Sequence, residues 1–441
     1  MNRENNKRKI VVYSHDTFGL GNIRRMLVIA QALVESDPNT SVLILSGSPM
    51  LHAFRIPPQI DYIKLPCLTR TMKGDYEAKF LDLDFEQILR LRSNLIQSSI
   101  LDFDPDLILV DKKPFGVGDE LANALGELQR IGHRAKMVLL LRDILDSPES
   151  TIRIWQKNGY HRAIQSFYDQ VLVVGSPEVF DLRKEYKFPS ESHDKVRFCG
   201  YIAREASGSS KQQLRQQYGF GDEKLVLITP GGGEDGYQLL KCYLQGLRMK
   251  KGVEDTKTLV ICGPEMIESQ RNHIQSMVAG CPSVVLQTFT DDMMACMDAA
   301  DLVISMGGYN TICELLTLRK RAIVVPRVMP VQEQWIRAKR MSQLGLLRAI
   351  HPEKMTPSIL MKTVQEELSQ VNVHPQSLYQ INLNGLSGVC DSIFRLMNDT
   401  QAVKNSAVTH KQINTRRANQ QNQRPVTGWR WGGHECSIHT S

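Results

Sequence analysis

The chain has 441 residues, of which 42% are hydrophobic and 23% charged, with 9 cysteines and a net charge of +7. This length exceeds one ordinary core and predicts two domains. No apolar run approaches the roughly 18 residues of a membrane span, and the basic N-terminus enters a strand without a signal-peptide core. The cysteines form no CxxC pair, which favours a reducing cytoplasm over a disulfide framework or a zinc site.

Most of the positive charge lies at the two ends of the chain. Residues 1–9 carry +3 and residues 400–441 carry +5, so the body between them is close to −1. A nucleic-acid-binding protein should be basic on its folded surface. The sequence therefore predicts no nucleic-acid partner, and the basic ends leave a peripheral contact with anionic lipid open.

The first half of the chain reads as alternating strands and helices. Strands are predicted at 9–14, 41–46, 61–66, 107–110, 137–141, 171–174 and 196–199, helices at 23–35 and 85–101, and an irregular loop at 67–85. Short apolar runs separated by helical segments are typical of a parallel sheet covered on both faces. We therefore predict an α/β domain over residues 1–202.

The loop after the first strand contains Gly19-x-Gly21, which is similar to the start of a dinucleotide-binding fingerprint. The third glycine position holds Arg24, and the second strand ends without a carboxylate for a ribose hydroxyl. An NAD or FAD site is therefore disfavoured, and we predict no cofactor.

Charged residues follow two later strands of this half. Asp111 comes after the fourth strand, and Arg142 and Asp143 come after the fifth. Ligands bind at the carboxyl edge of open α/β sheets, which favours a site at this edge. The alternative is that Arg142 and Asp143 pair with each other or cap the next helix. The sequence leaves both interpretations open.

The second half begins after a small, polar segment at 203–213, which predicts a flexible linker. A second α/β domain is predicted over 214–380, with strands at 225–229, 259–262, 284–286, 302–305 and 322–326 and helices at 311–318 and 356–369. A further helix is predicted at 381–397. From about residue 399 the composition turns polar and predicts a disordered tail.

Two glycine turns in this half predict an anion site. Gly231–Gly233 follow one strand, and Gly307 and Gly308 follow another just before a helix that carries Glu314. Glycines let the backbone approach a phosphate, and a helix N-terminus offers free N–H groups to it. Neither turn has the Lys-Ser/Thr of a P-loop, so ATP hydrolysis is not implied.

Polar side chains follow the last predicted strand of this half. Arg327, Gln332, Glu333 and Gln334 place a guanidinium, two amides and a carboxylate beyond its C-terminal end. Such groups hydrogen-bond hydroxyls and phosphates. The pattern predicts sugar-like hydrogen-bonding groups beside the anion site.

These features carry a family resemblance. FTDDMMACMDAADLVISMGGYNTICELL at 289–316 and VPRVMPVQEQWIRAKRMSQLG at 325–345 resemble the donor half of a GT-B glycosyltransferase. The similarity is to the MurG-like transferases with a family 28 C-terminal domain, in a bacterial, uncharacterised branch. It implies two Rossmann-like domains facing a cleft, with a helix at 381–398 returning to the first domain and a disordered tail at 399–441.

The resemblance also implies roles for individual residues. The donor nucleotide sugar would be bound by Gly231, Gly232, Gly233, Phe289, Gly307, Gly308, Thr311, Glu314, Arg327, Gln332, Glu333 and Gln334. Among these, Glu314 would bind the ribose, and Gln332 to Gln334 the sugar hydroxyls. The acceptor side would include Gly19, Gly21, Asn22, Asp111 and Arg142. No metal is expected, because helix dipoles would stabilise the leaving group.

Transfer to a hydroxyl requires a base. His15 is the first candidate because its ordinary pKa is near neutral, and Asp16 and Asp143 are further catalytic candidates. Relatives often carry a histidine where this chain has Asn22.

The predicted function is transfer of a sugar from a nucleoside diphosphate sugar, UDP-sugar favoured, to an acceptor hydroxyl of a glycan, lipid-linked or small molecule. The resemblance implies a hexosyltransferase of cell envelope polysaccharide, inverting and metal-independent. A nucleotide-sugar 2-epimerase and a non-catalytic nucleotide-sugar-binding regulator are the alternatives. The predicted location is the cytoplasm, with the inner membrane face as a site of peripheral contact.

Overall fold

Two parallel sheets organise the chain, and their strands come from separate halves of the sequence. The structure, a computed structural model, describes residues 7–15, 21–71, 75–204, 208–249, 256–370 and 380–399. Both sheets lie within one compact unit, residues 1–393. None of the helices in these ranges is long and apolar enough to cross a membrane.

The first half forms a seven-stranded sheet in the order β3-β2-β1-β6-β7-β8-β9, and each pair of neighbours is parallel. Its two central strands are buried on both faces, apart from Arg8 and Lys9 at the start of one, as a parallel sheet covered by helices requires. The strands are β1 Arg8–Ser14, β2 Thr40–Ser46, β3 Ile60–Lys64, β6 Leu107–Asp111, β7 Lys136–Arg142, β8 Gln170–Val174 and β9 Val196–Phe198. The helices are α1 Gly21–Ser36, α2 Phe85–Phe103, α3 Ala122–Arg130, α4 Pro148–Lys157, α5 Tyr160–Phe167 and α6 Leu182–Glu185.

A small hairpin corrects the prediction of an irregular loop at 67–85. The structure has two antiparallel strands there, β4 Leu68–Arg70 and β5 Tyr76–Ala78. Leu68 packs with Ile88 and Val117 into a small satellite core against which Tyr76 also lies. Strands of three residues carry too short an alternation to be distinguished from a loop by sequence pattern alone.

The second half forms a six-stranded sheet in the order β12-β11-β10-β13-β14-β15, again with parallel neighbours. Its hydrophobic core lies between the sheet and the helices Tyr237–Arg248, Glu268–Val278 and Pro357–Ser369. The strands are β10 Lys224–Thr229, β11 Thr256–Ile261, β12 Val284–Gln287, β13 Leu302–Ser305, β14 Ala322–Val324 and β15 Arg348–Ala349. The helices are α7 Lys211–Gln217, α8 Tyr237–Arg248, α9 Glu268–Val278, α10 Met293–Ala299, α11 Tyr309–Leu318, α12 Glu333–Gln343 and α13 Pro357–Ser369.

The connection between the halves is partly helical. Helix α7 begins at Lys211, inside the segment predicted as a linker, and Ser210 and Gln213 form a capping box at its start. Such a box satisfies two backbone N–H groups reciprocally, which fixes the start of the helix. Residues 205–207 lie outside the described ranges.

After the second sheet the chain returns to the first half. Asn382 and Leu383 accept hydrogen bonds from the backbone N–H groups of Tyr201 and Ala203, and Gly385 donates one to Tyr201. Residues 385–399 are helical, and the Cys390 thiol hydrogen-bonds with Ser36 at the end of α1. The tail predicted at 399–441 lies outside the described ranges apart from residue 399.

Candidate active site

Two glycine turns lie side by side at the carboxyl edge of the second sheet. One follows β10 and the other follows β13, which are neighbours at the point where the strand order reverses. Gly233 has φ +100°, and a Cβ there would lie 2.4 Å from the carbonyl oxygen of Cys262. Gly307 has φ +68°, and its Cβ would lie 2.5 Å from Val324. Both positions therefore require glycine, and the adjacent Gly232 and Gly308 expose backbone at the edge where ligands bind.

The two halves enclose a cleft of about 690 Å³ at this edge. Its walls come from the glycine turns and from α11 on one side, and from the start of α1 and the end of β7 on the other. The volume is within the range of small-molecule sites. The residues predicted for the site that line the cleft are Gly21, Asn22, Arg142, Gly231, Gly232, Gly233, Phe289, Gly308, Thr311, Glu314, Arg327, Glu333 and Gln334.

Glu314 lies on α11 and faces the cleft. Burial raises the pKa of its carboxyl group, while the charges of Arg204 and Arg24 lower it. The carboxylate forms no hydrogen bond with another residue in the part of the chain that the structure describes. Glu314 therefore retains its acceptor capacity for hydroxyl groups of a ligand.

The far end of the cleft is apolar and includes an exposed ring. Phe289 follows β12 and is 56% exposed. Ile261, Met293 and Met297 line the same cleft. An exposed aromatic ring beside apolar walls suits a flat heterocycle, because stacking and burial both stabilise it.

Carboxylates surround the first glycine turn. Burial raises the pKa of Glu234, and the neighbouring charges of Glu265 and Asp235 raise it further. Arg327 pairs with Asp235 at 3.3 Å, and its backbone N–H donates to the Oε1 atom of Gln334 at 3.0 Å. Among the described residues, no group of three or more His, Cys, Asp or Glu side chains could hold a metal ion.

A buried network of ion pairs joins the two halves behind the cleft. Glu333, at the start of α12, pairs with Arg142 of the first half at 2.9 Å and with Arg337 at 2.7 Å. Arg337 also donates hydrogen bonds from Nε and Nη2 to the two carboxylate oxygens of Asp143, at 2.7 and 2.8 Å. Tyr201 donates to the same carboxylate at 2.9 Å. Two carboxylates and two guanidiniums therefore balance in charge inside the protein.

The electrostatics of Glu333 follow from this network. Burial alone would raise the pKa of its carboxyl group, but Arg142 and Arg337 outweigh burial and lower it to about 2. Glu333 is thus an ionised carboxylate held by two cations at neutral pH. Its oxygen atoms are committed to the protein, in contrast to those of Glu314.

His15 lies at the C-terminal end of β1 and is only 1% exposed. Burial and the charges of Lys112, Lys113, Arg92 and Arg142 lower the pKa of its imidazole well below 6.5. Its Nδ1 atom has no hydrogen-bond partner among the described residues. The ring is therefore neutral at physiological pH and has an unpaired nitrogen.

The comparisons with known proteins agree with this geometry. Residues 225–380 match the glycosyltransferase family 28 C-terminal domain. The chain is 22% identical over 392 residues to the UDP-N-acetylglucosamine–N-acetylmuramyl-(pentapeptide) pyrophosphoryl-undecaprenol N-acetylglucosamine transferase of Acetivibrio thermocellus, covering 88% of this chain and 96% of the relative. It also superimposes on Acinetobacter baumannii MurG with a TM-score of 0.59 and 15% identity, covering 88% and 99% of the two chains.

The chain carries a glycosyltransferase family 28 C-terminal domain and has the GT-B fold.

A further structural likeness is to a Listeria monocytogenes protein assigned provisionally as a UDP-N-acetylglucosamine 2-epimerase. The TM-score is 0.61 at 14% identity, over 88% of this chain and 95% of the other. The predicted fold class, two Rossmann-like domains of GT-B type, is confirmed by these likenesses, as is the predicted glycosyltransferase activity by the family match.

Several predicted site residues do not line the cleft, namely His15, Asp111, Asp143, Gly307 and Gln332. The carbonyl oxygen of Gly307 accepts a hydrogen bond from Arg337 at 3.3 Å, and the backbone N–H of Gln332 donates to Asp146 at 2.9 Å. Asp111 pairs with Arg25 at 2.7 Å. Asp16 and Gly19 fall outside the described residues.

The catalytic role predicted for Asp143 does not fit its surroundings. The residue is fully buried, and both of its oxygen atoms accept hydrogen bonds from Arg337. A carboxylate held in this bidentate way has both oxygen atoms engaged by the protein. The geometry favours a structural role for Asp143 in joining the halves.

Sequence reasoning missed Arg337, the centre of the buried network. Its position four residues after Glu333 on α12 was the available signal, because residues at i and i+4 share a helix face. Its second partner, Asp143, is 194 residues away in sequence, and no sequence spacing predicts such a contact. The sequence pattern indicates Arg24 only as a mismatch to the dinucleotide fingerprint, although this residue lines the cleft.

Proposed function

We propose that the transferase moves a sugar from a nucleoside diphosphate sugar, with a UDP-sugar favoured, to an acceptor hydroxyl. The observation that carries this proposal is the shared cleft, which brings two glycine turns and the carboxylate of Glu314 together. The named substrate of the Acetivibrio thermocellus relative, UDP-N-acetylglucosamine, supports uracil as the base.

The donor would occupy the side of the cleft built by the second half. Its diphosphate would lie against the turn Gly231–Gly233 and against Gly308, which precedes α11. Backbone N–H groups and the helix dipole there would stabilise the charge that develops on the leaving group, without a metal ion. Glu314 would accept hydrogen bonds from the ribose hydroxyls, and Phe289 would stack on the base.

The donor sugar would meet the segment before α12. Gln334 lines the cleft, and since its Oε1 atom accepts from Arg327, its Nε2 group would donate to a sugar hydroxyl. The predicted direct contact of Glu333 with the sugar is replaced in this proposal by a positioning role, because its carboxylate is held by Arg142 and Arg337.

The chemical step would be a direct displacement with inversion. The acceptor oxygen forms a bond to the anomeric carbon, the bond from that carbon to the phosphate oxygen breaks, and the acceptor proton passes to His15. The neutral, unpaired Nδ1 atom of His15 supports this choice. Asp111 and Asp143 are buried like His15, but their carboxylates are held by Arg25 and Arg337, whereas the Nδ1 atom of His15 has no partner among the described residues.

Two alternatives remain. The hypothesis that the protein is a nucleotide-sugar 2-epimerase is supported by the fold likeness to the Listeria protein. It predicts that a rearranged sugar is released and that no acceptor is needed. A nucleotide-sugar-binding regulator would bind the donor without turnover. Product analysis separates the epimerase from the transferase.

We propose the acceptor and the cellular location from the names of the relatives. The pyrophosphoryl-undecaprenol acceptor named for the Acetivibrio thermocellus enzyme supports a lipid-linked acceptor. Such an acceptor would place the protein in the cytoplasm with peripheral contact at the inner membrane face. We propose no resident cofactor and no nucleic-acid partner.

The first experiment is a thermal-shift panel of UDP, GDP, dTDP, ADP and their common sugars, without metal and then with magnesium. A ligand at 100 times its dissociation constant should stabilise the fold by about 2.7 kcal/mol. We expect a metal-independent shift with UDP and a UDP-sugar. A panel without any shift would contradict the nucleotide-sugar site.

The second experiment replaces the proposed base by His15→Gln. Losing a positioned base should lower kcat by about 10²–10⁴-fold while donor affinity is retained. Because the pKa of His15 is lowered, wild-type activity should persist below pH 6.5 before protonation abolishes it. His133→Gln is the control, and an unchanged kcat in His15→Gln would remove His15 from the mechanism.

A further inference from the structure

Four arginines line the cleft, and three of them have carboxylate partners within the protein. Arg25 pairs with Asp111 at 2.7 Å, Arg142 with Glu333 at 2.9 Å and Arg327 with Asp235 at 3.3 Å. The fourth, Arg24, is exposed and forms no hydrogen bond or ion pair with the residues that the structure describes. Its guanidinium therefore retains its donors for a ligand.

Arg24 stands opposite the donor side of the cleft. It belongs to the first turn of α1, where Gly21 and Asn22 also line the cleft. The start of α1 approaches the start of α11, since a Cβ on Gly21 would lie 3.7 Å from the Nδ2 atom of Asn310. The charge of Arg24 also acts on Glu314, which α11 carries.

The charges of the cleft explain why such a cation is needed. Its lining includes six carboxylates, those of Glu234, Asp235, Glu265, Asp291, Glu314 and Glu333, against the four arginines. A diphosphate would be repelled by this excess of negative charge. Arg327, on the donor side, is already partly neutralised by Asp235, so a cation from the opposite wall is the better partner for a phosphate.

We propose that Arg24 binds the diphosphate of the nucleotide-sugar donor from the first half of the molecule. This inference rests on the proposed function and deepens it. The planar guanidinium donates two parallel hydrogen bonds to phosphate oxygens. Donor binding then depends on both halves of the protein, and Arg24 stabilises the departing nucleoside diphosphate. Arg24, which occupies the third glycine position of the dinucleotide fingerprint, thereby has a proposed role in binding.

The experiment compares a ligand with phosphates and one without. Dissociation constants of UDP and uridine are measured by calorimetry for the wild type, Arg24→Ala, Arg24→Lys and the control Arg153→Ala, an exposed arginine on α4 of the same half. We expect Arg24→Ala to bind UDP about tenfold more weakly or worse, as loss of a charge-assisted hydrogen bond implies. Uridine binding should be unchanged, and Arg24→Lys should be intermediate.

Salt supplies a second readout. Because screening weakens exposed charge interactions, UDP affinity of the wild type should fall with added salt more steeply than that of Arg24→Ala. Equal UDP affinity in the wild type and Arg24→Ala would overturn the inference, and so would an equal loss for UDP and uridine, which would indicate that Arg24 only orients Glu314. A wild type that binds no nucleoside diphosphate would instead overturn the proposed function itself.

Discussion

The carboxyl edges of the two sheets use charge in opposite ways. At the edge of the first sheet, Asp111, Arg142 and Asp143 are each tied to a partner of opposite charge. At the edge of the second sheet, glycine turns expose backbone, and Glu314 faces the cleft without a hydrogen bond from a described residue. Arg142 and Asp143 at the strand ends thus hold the two halves together, whereas the edge of the second sheet leaves backbone groups and the carboxylate of Glu314 open to a ligand.

Glu314 and Glu333 show the same contrast within one cleft. Burial raises the pKa of Glu314, whereas two guanidiniums bring that of Glu333 down to about 2. Burial favours the neutral form of both carboxyl groups, and the presence or absence of bound guanidinium groups decides whether the pKa falls or rises. A buried carboxylate without a partner is poised for a ligand, and one with two cations is part of the framework.

The largest effect is expected where the framework is broken. Arg337→Met leaves the buried carboxylates of Asp143 and Glu333 without their shared cation, so the free energy of unfolding should fall by about 3–5 kcal/mol. Urea unfolding measures this. Arg340→Met on the same helix removes only an exposed pair with Glu185 and should cost less than about 1 kcal/mol. Equal effects of the two changes would contradict a special role for the buried network.

The next effect is the loss of stability at acidic pH that Glu333 should cause. The pKa of Glu333 is depressed from 4.5 to about 2, so its contribution to stability is complete above pH 4.5 and is lost as pH falls through about 2. The full contribution is on the order of 3 kcal/mol. We expect Glu333→Gln to be less stable than the wild type at neutral pH, with the gap narrowing as the solution is acidified.

Glu314→Gln should change the stability at neutral pH in the opposite direction to Glu333→Gln. Since the pKa of Glu314 is raised, its ionised form opposes folding at neutral pH and protonation removes that opposition. The variant should match or exceed the stability of the wild type at neutral pH. A lower stability there would show that Glu314 has a stabilising partner.

A smaller effect in free energy than that of Arg337→Met is expected at Glu314, the carboxylate proposed to bind the ribose. Glu314→Ala should weaken binding of the nucleotide-sugar donor by about 10–100-fold, because it would remove the proposed charged hydrogen bonds to the ribose. Its effect on unfolding should be small beside that of Arg337→Met. Calorimetric titration measures the affinity, with Glu268→Ala, an exposed change on α9, as the control. Unchanged affinity would exclude the predicted nucleotide site.

The fold could be predicted because its signals are local. The buried strand Leu302–Ser305 has the same bounds in the prediction and the structure, since a short apolar run ends at Gly307 and Gly308. The glycine turns and Glu314 are likewise close in sequence, and α11 brings them to one edge. Local pattern and resemblance together located the cleft wall of the second half.

The network could not be predicted because its contacts are remote in sequence. Arg142 reaches Glu333 across 191 residues, and strand patterns give no information on which side chains of two sheets meet. For the same reason the sequence could not decide whether Asp143 has a catalytic role or a structural one. Its partner Arg337 decides that question, and only the assembled fold places the two together.

The return of the chain to the first half has a consequence for synthesis. Asn382, Leu383 and Gly385 complete hydrogen bonds with Tyr201 and Ala203, so the first half is discontinuous and the second half is inserted in it. At about 5–20 residues per second, a ribosome takes roughly 10–40 s to travel from one segment to the other. Throughout that interval the nascent first half lacks its closing segment, while the second half is being synthesised. The first half therefore completes these hydrogen bonds only after the whole of the second half has been translated.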